Sequence, residues 1–159
     1  MATGHRDGKV RIWSLQSRKV EGELRASDHS QLTSICCTGY DNNYVLACAR
    51  DDRIYKLDTR QPQSPVCVFE DDQFSCLGRR TRISLSANQR YAVVASAANK
   101  LVIFDLQSEE RHSTLSHDQS IIDCQWVPGR NRISALDKSG QVVTWVVPGD
   151  CDAFAFTDD

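Results

Sequence analysis

The chain has 159 residues, of which 40% are hydrophobic and 25% charged, with a formal net charge of −2 and a pI near 6.1. These values exclude a disordered polyelectrolyte and give no electrostatic basis for nucleic-acid binding, while leaving ample material for a core. No stretch approaches the ~20 apolar residues of a membrane-spanning helix, and the first seven residues lack the apolar run of a signal peptide. The expectation is a soluble, cytoplasmic protein.

Helical periodicity is nearly absent. Short apolar runs rich in Val, Ile and aromatic residues recur between polar turns such as Asp41-Asn42-Asn43, Ala87-Asn88-Gln89, Gly129-Arg130-Asn131 and Asp137-Lys138-Ser139-Gly140. Many short strands at even spacing predict an all-β architecture. In chain order the predicted strands are Ala2 to His5, Val10 to Leu15 and one near Val20 to Leu24. Next come Leu32 to Cys37, Val45 to Ala49, Ile54 to Thr59 and Val66 to Phe69. The third set is Arg82 to Leu85, Ala92 to Ser96, Leu101 to Leu106 and Ser113 to Leu115. The last is Ile121 to Trp126, Ile133 to Leu136 and Val142 to Trp145.

These strands fall into sets. Trp13, Leu57, Phe104 and Trp145 occupy equivalent places and are separated by 44, 47 and 41 residues. A period of about 40–45 residues with four strands per repeat is that of a β-propeller blade. Alternation places Val10 and Ile12 on one face of their strand, and Arg11 and Trp13 on the other. Four of the seven cysteines, Cys36, Cys48, Cys67 and Cys124, lie inside apolar strands and read as small core residues. An odd number of cysteines without a Cys-x-x-Cys pair argues against a disulfide framework.

The repeats resemble WD40 repeats over nearly the whole chain, to about Val147. Asp7-Gly8-Lys9-Val10-Arg11-Ile12-Trp13 resembles the family's second turn and third strand, and the run from His117 to Gly129 resembles its repeat opening. The resemblance implies an all-β partial propeller of about three and a half four-stranded antiparallel blades. Their expected bounds are 1–25 (the second half of a blade), 26–70, 71–116 and 117–147 (lacking its outer strand), with 148–159 as a tail. It also implies structural roles for Asp7, Trp13, His29, Asp51, Leu57, Asp58, Ser96, Phe104, Asp105, His117, Asp137 and Trp145. The family's hydrogen-bonded set of loop His, strand Ser or Thr, third-strand Trp and turn Asp is kept only in part. Ala135 stands where Ser or Thr is expected, Leu57 and Phe104 replace Trp, and Ala98 replaces Asp. The blades are therefore expected to depend more on apolar packing than on that network.

A narrower resemblance follows from three features in this order. They are Cys48-Ala49-Arg50-Asp51-Asp52 with Leu57-Asp58-Thr59-Arg60, the long link from Phe69 to Cys76 ahead of Thr81-Arg82-Ile83-Ser84, and the ending from Ala135 to Trp145. Together they resemble the C-terminal propeller of the autophagy-related protein sixteen family. That resemblance implies a non-catalytic scaffold in the complex directing lipidation of Atg-eight type ubiquitin-like proteins. Its implied partners are the autophagy conjugation machinery or receptor peptides, with peripheral membrane association through partners at autophagosomal or other endomembranes. The family's N-terminal helix and coiled coil have no counterpart in this sequence.

Two other readings stand beside it: an unrelated WD40 adaptor, such as a substrate-docking subunit of a ubiquitin ligase, and a phosphoinositide-binding propeller. The second rests on Gly78-Arg79-Arg80-Thr81-Arg82, the only basic cluster, since Arg makes bidentate contacts to phosphate. No Gly-rich phosphate loop, nucleophile elbow or compact zinc-ligand spacing occurs, so no catalytic site, metal or cofactor is expected. Partner-binding candidates are Arg50, Phe74, Arg79 and Arg80, on loops expected to share one rim and of residue types enriched at binding hot spots. At about 44 residues per repeat the length falls short of a closed propeller. The expectation is a truncated propeller with exposed strand edges, prone to self-association.

Overall fold

A computed structural model describes residues 1–38, 43–76 and 81–147. Those residues form fourteen strands and no helix. The first sheet holds β1 (Ala2–Gly4), β2 (Lys9–Trp13) and β3 (Val20–Arg25). The second holds β4 (Leu32–Thr38), β5 (Tyr44–Ala49), β6 (Arg53–Asp58) and β7 (Cys67–Glu70). The third holds β8 (Ile83–Leu85), β9 (Tyr91–Ser96), β10 (Lys100–Asp105) and β11 (Glu110–Ser116). The fourth holds β12 (Ile121–Trp126), β13 (Arg132–Asp137) and β14 (Val142–Val146). Every sheet is an antiparallel meander in sequence order. The arrangement is a partial, propeller-like β fold that does not close into a barrel.

One backbone detail repeats four times. Gly8, Asp52, Asn99 and Gly140 all have positive φ, at 76, 61, 56 and 87°. Each lies in the turn between the second and third strand of its sheet, five residues before Trp13, Leu57, Phe104 or Trp145. A tight turn that needs a left-handed residue selects Gly, Asn or Asp, because other side chains clash there. At Gly8 the demand is double, since an added Cβ would overlap the Ser27 carbonyl. A second recurrence caps the third strand. Arg60 N–H donates to Asp58 Oδ1 at 2.8 Å, and Gln107 N–H to Asp105 Oδ1 at 2.9 Å.

The core sits between successive sheets. Val10 and Leu24 of the first pack with Val45, Ala47, Tyr55 and Leu57 of the second. Leu46, Ile54 and Phe69 of the second pack with Ile83, Val94 and Phe104 of the third. Val93, Leu101 and Ile103 of the third pack with Cys124, Trp126 and Ile133 of the fourth. Burying one such side chain contributes roughly 1.5–3 kcal/mol. Inner strands are also tied by a repeated bond: Ile83 N–H donates to Ser34 Oγ at 3.2 Å, and Trp126 N–H to Ser84 Oγ at 2.9 Å. The strand boundaries shift from those expected by a residue or three, as at Leu15, which is 72% exposed and lies beyond β2.

Candidate docking face

In a four-stranded meander the turn between strands two and three and the link to the next sheet share one end. Hydrogen bonds knit those segments together here. Arg50 N–H donates to Gln31 O, Ala97 N–H to Ser75 O, His117 N–H to Asn99 O and Lys138 N–H to Ser120 O, all at 2.9–3.0 Å. Cys76 N–H donates to Asp52 Oδ1 at 2.6 Å, and Ser27 Oγ–H to Asp51 Oδ2 at 3.3 Å. The result is a continuous rim supported by three cores.

Arg50 is exposed on this rim, with its guanidinium 3.4 Å from Gln31 Oε1. It borders an open groove of about 1030 Å³ shared with Ser27, His29, Gln31, Asp51 and Tyr55. A neighbouring recess of about 520 Å³ is lined by Asp51, Asp52, Glu70, Asp71 and Asp72. Arg53 pairs with Glu70 at 3.0 Å and Arg111 with Asp71 at 3.0 Å. A third cavity, of about 780 Å³, opens between the inner strands and is lined by residues including Ser34, Thr81, Arg82, Asp123 and Lys138. Arg82 there pairs with Asp123 at 3.2 Å, which offsets its charge.

Phe74, expected as an exposed anchor, is 3% exposed and belongs to the core between the second and third sheets. Its ring meets Phe104 edge-on with centroids 6.2 Å apart. A loop aromatic beside an apolar core gains more from burial than from display to solvent. Arg79 and Arg80 lie outside the described residues, as do the Asp41 and Asn42 turn positions and residues 148–159.

The repeat positions carry different polar sets. In the first sheet, Trp13 Nε1–H donates to Thr3 Oγ1 at 2.7 Å, and that oxygen lies 2.8 Å from His5 Nε2. Asp7 instead pairs with Arg11, which holds its carboxyl below the usual range. The Thr3–His5 part was not anticipated, although residues two apart on a strand share a face. In the second sheet His29 is exposed, and Asp51 accepts the Tyr55 hydroxyl at 2.6 Å. In the third, buried Ser96 donates to Gln73 O and accepts from Ser75 N–H, both at 2.9 Å. In the fourth, His117 Nε2 lies 3.0 Å from Asp137 Oδ2 and its ring meets Trp145 edge-on. The Ser139 hydroxyl, then His117 and the backbone N–H groups of Gln141 and Ser139, hold Asp137 well below the usual carboxylate range. Leu57 and Phe104 fill the core.

Several of the thiols are poorly suited to chemistry. The six cysteines among the described residues are free. Burial pushes Cys124 up to about 12 and Cys67 up to about 11, which keeps them protonated and weakly nucleophilic. A hydrogen bond to the Cys76 thiol and burial raise Cys48. Among the described residues no cluster of His, Cys, Asp or Glu could hold a metal, and no helix is long and apolar enough to cross a membrane.

Similarity then names the relatives. The chain is 26% identical over 151 residues to Protein Atg16l2 of Mus musculus, which covers 90% of this chain and 23% of that protein. Its homologues are Atg16-family proteins. Autophagy-related protein 16 of Arabidopsis thaliana is 26% identical over 145 residues, covering 90% of this chain and 28% of that protein. Protein tipD of Dictyostelium discoideum is 25% identical over 149 residues, covering 91% and 24%. The chain thus spans about a quarter of the length of the curated relatives it matches. No family model matches.

Proposed function

We propose that the four sheets are blades of a WD40-type propeller, divided at 1–25, 26–70, 71–116 and 117–147, and that this propeller is a non-catalytic docking scaffold in autophagy. The observation that carries the reading is the Atg16-family similarity across nine-tenths of the chain. The fourfold recurrence of the left-handed turn supports the blade assignment, because a repeated local backbone demand is what a repeat architecture imposes.

On this reading the rim around Arg50 receives a protein partner. The partner belongs to the machinery that lipidates Atg-eight type proteins or is a receptor peptide delivered to it. The protein works in the cytoplasm and reaches autophagosomal or other endomembranes through its partners. A docking scaffold needs a rigid base and an adaptable surface, and loops carried on packed sheets supply both.

Cross-linking of the tagged chain in starved cells, followed by identification of the linked proteins, tests this. The expected result is enrichment of the autophagy conjugation machinery. Enrichment of ubiquitin-ligase subunits in its place would overturn the autophagy reading and favour the other adaptor class.

A further inference from the structure

Two thiols meet beneath the rim. Cys48, near the end of β5, is fully buried in the core between the second and third sheets. Cys76, on the link that leaves β7, is partly buried and packs against the same core. A hydrogen bond joins the two side chains. Cys76 is held in place by its own N–H, which donates to Asp52 Oδ1 at 2.6 Å, and by the N–H of Ser75, which donates to Ser96 Oγ at 2.9 Å. Asp52 lies in the turn that follows β5. One short segment therefore carries both Cys48 and the carboxylate that positions Cys76.

The two thiols differ in access. Cys76 borders the groove of about 1030 Å³ beside Arg50. Its Sγ lies 3.1 Å from the Thr81 hydroxyl, a donor that a thiolate can accept from. Cys48 has no exposure. The hydrogen bond to Cys76 and burial raise the Cys48 thiol, so it keeps its proton. An oxidant entering from the groove reaches Cys76 first. In a disulfide the sulfurs stand about 2.05 Å apart, and thiols already in contact have a short path to that geometry.

We propose that Cys48 and Cys76 form a reversible disulfide on exposure to hydrogen peroxide, which makes the floor of the Arg50 groove a redox-sensitive modification site. The Cys76 thiolate attacks one peroxide oxygen. The S–O bond forms, the O–O bond breaks, and the departing hydroxide takes up the proton released from Cys76 and leaves as water. Cys76 is then a sulfenic acid. The Cys48 sulfur attacks the sulfur of Cys76. The S–S bond forms, the S–O bond breaks, and the second hydroxide leaves as water with the Cys48 proton. The two thiols are oxidised by two electrons, and one peroxide is reduced to two waters. A low-molecular-weight thiol such as glutathione reverses the bond by exchange. A transient bond of this kind is compatible with a reducing compartment. It ties the end of β5 to the link that enters the third sheet.

Oxidation of the reduced chain 1–159 with hydrogen peroxide, then alkylation, digestion without reductant and mass spectrometry of the peptides, tests this. The expected product links Cys48 to Cys76 within one chain, is lighter by two hydrogen atoms, and returns to thiols with dithiothreitol. Cys76→Ser is expected to leave Cys48 a free thiol at the same dose. Cys48→Ala is expected to leave Cys76 as a sulfenic acid that dimedone traps. Should either variant not fold, dimedone added to the native chain together with peroxide is expected to label Cys76 and suppress the linkage. Absence of the linkage overturns the proposal, as does linkage of Cys76 to another cysteine or to a second copy of the chain. Oxidation of Cys76 beyond the sulfenic acid while Cys48 stays a thiol also overturns it. Dimedone labelling of Cys48 in place of Cys76 overturns the assigned order of attack.

Discussion

Asp137 Oδ2 lies 3.0 Å from His117 Nε2, joining the link that opens the fourth sheet to the end of that sheet's second strand. The same carboxylate accepts the Ser139 hydroxyl at 2.6 Å and the Gln141 N–H at 3.0 Å through its other oxygen. Asp137 thus fixes the whole turn, whereas His117 contributes one bond. Asp137→Ala is expected to cost about 2–3 kcal/mol and His117→Ala about 1 kcal/mol, because the first leaves several donors without an acceptor. Urea unfolding of the two variants checks the order; equal costs would contradict it.

Phe74 separates a core role from a binding role. Phe74→Ala is expected to destabilise by about 3–5 kcal/mol, the usual cost of removing a buried aromatic ring. Thermal unfolding measures it. A change below about 1 kcal/mol would return Phe74 to the surface.

Gly8 carries a steric demand that no other residue meets. Its φ is 76°, and a Cβ there would meet the Ser27 carbonyl, so Gly8→Ala is expected to cost well over 1 kcal/mol. Gly140→Ala, at a φ of 87° with open space around it, should cost about 1 kcal/mol from the backbone alone. Denaturant midpoints of the two variants report the difference.

Acid sensitivity follows from Asp58. Hydrogen bonds from the Arg60 side chain and backbone N–H lower its carboxyl to about 2. A carboxylate depressed in the folded state contributes stability that is present above its ordinary value of 3.8 and is lost as pH falls toward 2. Asp58→Asn should therefore flatten the stability profile between about pH 4 and pH 2. A profile unchanged in that window would show that the Arg60 pairing carries no linkage.

Much of this architecture was legible in the sequence because two-residue alternation and turn residues are local signals. Tyr44–Ala49 and Ile121–Trp126 announce themselves through apolar residues bounded by polar turns. The left-handed turns at Gly8, Asp52, Asn99 and Gly140 use residue types suited to positive φ, but their recurrence shows only in the backbone. Phe74 was misjudged because its neighbours, Asp71, Asp72, Gln73 and Ser75, read as a solvated loop. Only the approach of Phe104 from another sheet makes that loop a lid over the core. Tyr55 as the partner of Asp51 was likewise invisible, since the expected histidine, His29, turns to solvent.

The most direct test of the docking account is recovery of the conjugation machinery by the purified chain, compared with its Arg50→Glu variant. Arg50 is exposed and, among the described residues, its side chain makes one long bond, to Gln31, so the variant should keep its unfolding midpoint. The account predicts that the native chain retains the machinery that lipidates Atg-eight type proteins and that the variant loses at least about tenfold in affinity, the effect of a central arginine hot spot. Equal recovery by both chains would contradict the Arg50 rim as the docking face, and no recovery by either would contradict the scaffold itself.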